Sequence, residues 1–213
     1  MRVKICGNRT ADDIALAVAS GADAIGVISG IRHRSEDAHA PAAAAALVRQ
    51  TPVFVTSVLV THLITAGEVI ALQAQVQAAA IQLQDDFPIE GLLTLREALP
   101  AVRLIKAVSV VDASAIETAL RFEPFADALL LDSRTRDRIG GTGQVHDWSI
   151  SRRIVEQVRK PVILAGGLTP DNVAEAIAQV RPYGVDVNTG VKAADGAKDA
   201  SKVRSFVHNA RQA

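Results

Sequence analysis

Cys6 is the only cysteine in the chain, and it stands where the strand-like segment Arg2-Val-Lys-Ile-Cys-Gly7 gives way to a glycine. A second reactive group, Asp132, closes the apolar run Ala128-Leu-Leu-Leu-Asp132. Side chains alternate across a strand, so Lys4 and Cys6 share one face while Val3 and Ile5 take the other. Ala128, Leu130 and Asp132 oppose Leu129 and Leu131 in the same way. A thiol and a carboxylate at the carboxyl ends of two strands suit proton transfer, one as base and one as acid. The same residues also fit a plainer arrangement. Free cysteine is among the most buried residue types, and an Asp that ends a strand often caps a turn.

Short β-branched or apolar runs alternate with Ala-rich amphipathic stretches, the pattern of βα units around a parallel sheet. Eight strands are expected, at residues 2–6, 24–29, 53–60, 78–84, 103–110, 128–133, 161–167 and 184–190. This spacing predicts an α/β fold, a single (β/α)8 TIM barrel occupying residues 1–213 as one domain. Thr10 with Asp12 and Asp13 starts the first helix, and Thr169-Pro170-Asp171 the seventh. The alanine run from Ala42 to Ala46 reads as a helix former. Strand parity turns Lys4, Cys6, Gln82, Gln84, Lys106, Asp132, Asp186 and Asn188 inward. Barrel interiors are mostly Val, Ile and Leu, so polar inward residues near strand ends point to a site at the barrel mouth. Lys4, Lys106 and Asp186 also fit a buried ionic layer.

Three glycine-bearing turns follow the last three strands: Gly140-Gly-Thr-Gly143, Ala165-Gly-Gly-Leu168 and Asn188-Thr-Gly190. Glycine lets backbone N–H groups approach an anion closely, and the loops after the seventh and eighth strands of such barrels frequently hold phosphate. Each turn alone is ordinary; together they indicate a phosphorylated small-molecule substrate, with Gly141, Thr142, Gly143, Gly166, Gly167, Asn188, Thr189 and Gly190 as its contacts.

The charge balance excludes other classes. Lys plus Arg and Asp plus Glu are equal at 23 each, so no basic field points to nucleic acid. The start runs directly into a strand without a secretory apolar region, and no apolar run approaches a membrane span. A lone cysteine fits a reducing compartment, and a cytoplasmic protein is expected. The five histidines, 33, 39, 62, 146 and 208, have no paired metal-ligand spacing and read mostly as surface residues, so no metal site is expected. Oligomeric state is not encoded in any feature of the sequence.

Several stretches resemble the phosphoribosylanthranilate isomerase family of tryptophan biosynthesis. They include Val3-Lys-Ile-Cys-Gly7, Gly21-Ala-Asp-Ala-Ile-Gly26, Leu130-Leu-Asp132, Gly140-Gly-Thr-Gly143 with Asp147-Trp148, Leu164-Ala-Gly-Gly-Leu168 with Asn172-Val173, and Val185-Asp-Val187 with Thr189-Gly-Val191 and Lys198-Asp199. The resemblance implies a cofactor-free Amadori rearrangement of a phosphoribosyl aminobenzoate, with Cys6 matching the family's general base and Asp132 its general acid.

The departures fall on loops. Where the family usually carries a Ser-Pro-Arg-like segment, this chain has Gly30-Ile-Arg-His-Arg-Ser-Glu-Asp37, which places Asp37 in the position of an arginine implicated in holding the anthranilate carboxylate. A carboxylate there would repel a benzoate, leaving Arg32 or Arg34 to reach in from the longer loop. Gln82-Leu-Gln-Asp85 replaces the usual Gln-Leu-His-Gly, Arg9 brings an unusual cation near the reacting end, and Lys192 stands where Glu is common. Three readings follow: the isomerase itself; a diverged isomerase of another phosphorylated aminosugar or sugar; and a non-catalytic ligand-binding barrel. The segment from Gly30 to Asp37 discriminates the first two.

Overall fold

The computed structural model describes residues 1–32, 34–84, 86–133 and 146–213. Its strands are β1 (Arg2–Ile5), β2 (Ala24–Ser29), a two-residue β3 (Ala38–His39), β4 (Thr56–Thr61), β5 (Ala80–Leu83), β6 (Arg103–Ser109), β7 (Ala128–Asp132), β8 (Val162–Leu164) and β9 (Gly184–Val187). The helices are α1 (Ala11–Ala19), α2 (Pro41–Val48), α3 (Ala66–Val76), α4 (Ile89–Ala98), α5 (Ser114–Phe122), α6 (Trp148–Gln157), α7 (Val173–Val180) and α8 (Ala200–Gln212). All strand pairings are parallel, and β1 pairs with both β9 and β2, which closes an eight-stranded ring with β3 appended beside β2. The expected (β/α)8 barrel is present.

Alternation along the strands produces two apolar layers. Outward residues such as Val3, Ile5, Ile81, Leu83, Leu129 and Leu131 pack beneath the helices, while Val58, Val60, Ala80, Ile105, Ala107 and Leu130 fill the barrel interior. Burying each large aliphatic side chain contributes roughly 1.5–3 kcal/mol, so the two layers together supply the main stabilisation of the fold. Thr10 caps α1 as expected, accepting from the Asp13 N–H while Asp13 returns a bond to the Thr10 N–H. At the face opposite the strands' carboxyl ends, Arg211 of α8 donates to the Met1 carbonyl at 2.9 Å, the Gly21 carbonyl at 2.9 Å and Asp23 at 2.7 Å.

The structure corrects several expected boundaries. The third barrel strand starts at Thr56, paired with Ala24, rather than at Val53. Val53 and Phe54 form an exposed turn with Phe54 at φ 73°, which interrupts an extended strand despite the β-branched composition. Residues 78 and 79 precede β5 because Gln77 adopts a left-handed conformation at the end of α3. The last two expected strands are shorter: Gly166 and Gly167 have φ of 82° and 69°, and Thr189–Val191 forms a 3-10 turn. Helix α7 begins at Val173 after Asn172, whose side chain accepts from Thr169 N–H at 2.8 Å, so Thr169-Pro170 is a turn before the helix. The alanine run is helical within α2, with Ala44 and Ala45 buried.

Lys106 does not face inward. Ile105 and Ala107 occupy the barrel interior, so Lys106 points under the helices, with its ammonium 4.9 Å from the Phe122 ring centroid. Only Lys4 and Asp186 of the expected ionic trio meet inside the barrel, at 3.0 Å.

Candidate active site

At the carboxyl ends of the strands lies a cavity of about 620 Å³. Cys6 reaches it because β1 ends at Ile5 while the ladder continues one residue further, the Cys6 N–H donating to the Val187 carbonyl at 2.8 Å. Space for the sulfur depends on the neighbouring strand: a Cβ on Gly26 would lie 2.7 Å from Cys6 Sγ. Asp132, half-buried at the end of β7, lines the same cavity. Gln82 and Gln84 from β5 and the residue after it, and Asp186 from β9, complete the polar floor. Gln82 is buried, and its Oε1 has no hydrogen-bond partner among the described residues.

The electrostatics around the thiol are layered. Burial pushes the Cys6 pKa up, Lys4 and Lys198 pull it down, and Asp186 adds to the rise. Burial works against the Lys4 charge, but Asp186 and Cys6 outweigh it and hold the Lys4 pKa above the usual lysine value. The Lys4–Asp186 pair spans paired positions on β1 and β9, so the sheet register itself delivers the two charges to each other.

Gly166, Gly167, Asn188, Thr189 and Gly190 all lie on the cavity wall. Two of these glycines are also demanded by packing: a Cβ on Gly166 would meet Ser133 N at 2.3 Å, and one on Gly190 would meet the Leu168 carbonyl oxygen at 1.9 Å. Gly141, Thr142 and Gly143 fall outside the described residues, as do His33 and Asp85. Arg34 is on the wall, while Arg32 is exposed and absent from the described lining. Arg9 is likewise absent from that lining; its guanidinium lies beside the Gly196 turn.

Asp37 is buried at the wall, where Lys192 neutralises it at 2.6 Å and Asn188 Nδ2 donates to it at 2.9 Å. Two of the charge departures noted in the sequence, Asp37 and Lys192, therefore oppose each other in space. Asn188 is packed close to Gly7, whose added Cβ would lie 2.4 Å from Asn188 Oδ1.

The family model described as N-(5'phosphoribosyl)anthranilate (PRA) isomerase matches residues 3–209. The chain belongs to the PRA isomerase family. Among its relatives is N-(5'-phosphoribosyl)anthranilate isomerase 2 of Methanosarcina mazei, 43% identical over 213 residues, with 99% of this chain and 94% of that protein covered. The crystal structure of phosphoribosyl anthranilate isomerase from Thermotoga maritima superposes with a TM-score of 0.86 at 34% identity, covering 100% of both chains. A PRA isomerase structure in complex with reduced 1-(o-carboxyphenylamino)-1-deoxyribulose 5-phosphate gives a TM-score of 0.82 at 33% identity, again with 100% of both chains covered.

Sequence reasoning overlooked Ser109, His62, Thr169 and Lys202, which the fold also brings to the cavity wall. Ser109 was legible in principle, since it shares strand parity with Ile105 and Ala107. Histidines 39, 62 and 146 are partly buried rather than on the surface. Burial lowers the His146 pKa to about 4, and its Nε2 lies 2.6 Å from the Ser151 hydroxyl. Among the described residues, no helix is long and apolar enough to cross a membrane.

Proposed function

We propose that the protein converts N-(5'-phosphoribosyl)anthranilate into 1-(o-carboxyphenylamino)-1-deoxyribulose 5-phosphate, with Asp132 as general acid and Cys6 as general base. The observation that carries this reading is the convergence of those two side chains on one cavity whose wall also includes the glycine turns after β8 and β9. Asp132 gives a proton to the ribose ring oxygen as the C1–O bond breaks, and the aniline nitrogen's lone pair forms the C1=N iminium. The Cys6 thiolate then removes the C2 proton, and those electrons neutralise the iminium to leave an enaminol. Tautomerisation to the ketone returns a proton to C1. The sequence is redox-neutral, so its chemistry requires neither a metal nor a nicotinamide.

The phosphate is assigned to the backbone of Gly166, Gly167, Thr189 and Gly190, joined by Gly141, Thr142 and Gly143, because oriented N–H groups bind an anion without a charged side chain. Arg34 is assigned to the anthranilate carboxylate, and the buried Oε1 of Gln82, without a partner among the described residues, to a sugar hydroxyl. Of the loop departures that favour a diverged substrate, Asp37 at the mouth is the discriminating one, because a carboxylate repels a benzoate. Lys192 at 2.6 Å removes most of that repulsion, which favours the anthranilate substrate. A cytoplasmic setting accords with a freely soluble phosphorylated substrate. Purified protein given phosphoribosylanthranilate should extinguish the substrate's fluorescence; a flat trace beside an active control isomerase, from protein shown to be folded, sinks the assignment.

A further inference from the structure

Lys198 lies in the turn before α8, far along the chain from Cys6, yet its ammonium donates to the Cys6 carbonyl at 2.6 Å, to Asn188 Oδ1 at 3.0 Å and to the Asn188 carbonyl at 3.3 Å. These three acceptors are uncharged. The neighbouring lysines have carboxylates of their own: Lys4 is 3.0 Å from Asp186 and Lys192 is 2.6 Å from Asp37. A cation solvated by neutral dipoles, and bonded to the backbone of the reactive residue, is poorly compensated until a negative charge forms nearby.

We propose that Lys198 is a positioning residue for the Cys6 base, fixing the backbone at the end of β1 and supplying the positive charge that makes the thiolate accessible. This rests on the reading of Cys6 as the base. The charged groups acting on the thiol are Lys4 on its own strand, Asp186 on β9 and Lys198. Those acting on Lys198 are Cys6, Lys192, Asp37 and Asp13 of α1. Burial draws the Lys198 pKa down to about 8, with Cys6 the foremost influence in the opposite direction. Thiol and ammonium therefore act on each other, and their attraction lowers the cost of placing a negative charge on the sulfur.

Because Cys6 is the only cysteine, ultraviolet absorbance of the thiolate reports this site alone. Lys198→Gln retains a donor for the Cys6 carbonyl but removes the charge, and should raise the thiol's ionisation midpoint by roughly 1–2 pH units. It should lower kcat at neutral pH by about the corresponding 10- to 100-fold, with KM little changed. Lys198→Arg, whose charge is fixed, should hold the midpoint at or below the wild-type value and restore most of kcat. Lys198→Met serves as a second charge-removing variant, with circular dichroism and phosphate binding certifying the fold of each. A folded Lys198→Gln or Lys198→Met protein whose thiol titrates as in the wild type overturns the proposal. Failure of the base assignment is read separately, as near-wild-type turnover in Cys6→Ser.

Discussion

Burial holds the Cys6 thiol above the ordinary cysteine pKa, and a base must lose its proton before it can act. Below that raised pKa the active fraction grows about tenfold per pH unit. Since Asp132 must keep its proton to act as general acid, the expected outcome is a kcat/KM that climbs with pH for as long as Asp132 remains protonated and stops climbing once it ionises; a profile with no rising limb would contradict a thiolate base. Substitution separates the two proton-transfer roles from mere packing. Cys6→Ser and Asp132→Asn should each reduce turnover by about 100- to 10,000-fold while leaving the melting temperature and phosphate binding close to wild type. Were Cys6 simply packed and Asp132 simply a cap, melting temperature would move and turnover would not. These two residues were legible in the sequence because a rare thiol and a carboxylate at strand ends are local signals. The Asp37–Lys192 pair was not legible as a pair: each looked like an isolated departure, and 155 residues separate them. No local periodicity carries that distance, whereas the barrel supplies it.

At the scale of elements, the start of α1 was legible from its chemical signature, whereas the signature at Thr169-Pro170 preceded α7 by a turn. Thr10 and Asp13 announce α1 through side-chain bonds to the helix's own backbone, so sequence and structure coincide there. Val53 and Phe54 have strand-like composition, yet register with β2 delays β4 until Thr56. Composition describes what a pleated surface tolerates, while neighbouring strands decide where pairing begins. The end of α3 offers a test of local backbone cost. Gln77 is exposed and adopts φ 57° at that end, a conformation that glycine occupies without steric penalty. Gln77→Gly should stabilise the protein by about 1 kcal/mol, less the added flexibility of the unfolded chain. Denaturant titration reads the difference as a higher midpoint at unchanged slope; a lower midpoint would mean that the Gln77 side chain contributes more than its backbone costs.

For the molecule as a whole, the alternation of apolar runs and amphipathic stretches made the barrel legible, because eight repeats of one unit constrain topology more than any single boundary does. The mouth was legible only in part. Strand parity predicted Gln82 and Asp186 correctly, but Lys106 turned to the helix layer, where Phe122 receives it. Ligand binding should couple to global stability through the same mouth. Inorganic phosphate, as a fragment of the proposed substrate, should raise the melting temperature, contributing about 2.7 kcal/mol at 100 times its dissociation constant. An unchanged melting temperature across a phosphate series, or phosphate density in a soaked crystal only away from Gly167 and Gly190, would count against the assigned site.

The contacts of Arg211 with Met1, Gly21 and Asp23 bring the first and last elements of this chain together on the face remote from the mouth. The order in which the polypeptide visits its units is therefore separable from the ring they build. A short linker from Ala213 to Met1, with new ends opened at the exposed Val53-Phe54 turn, would preserve every strand pairing while making β4 the first strand encountered. Such a permutant should retain the cavity and its chemistry, since Cys6 and Asp132 owe their meeting to closure of the sheet rather than to the place where the chain starts.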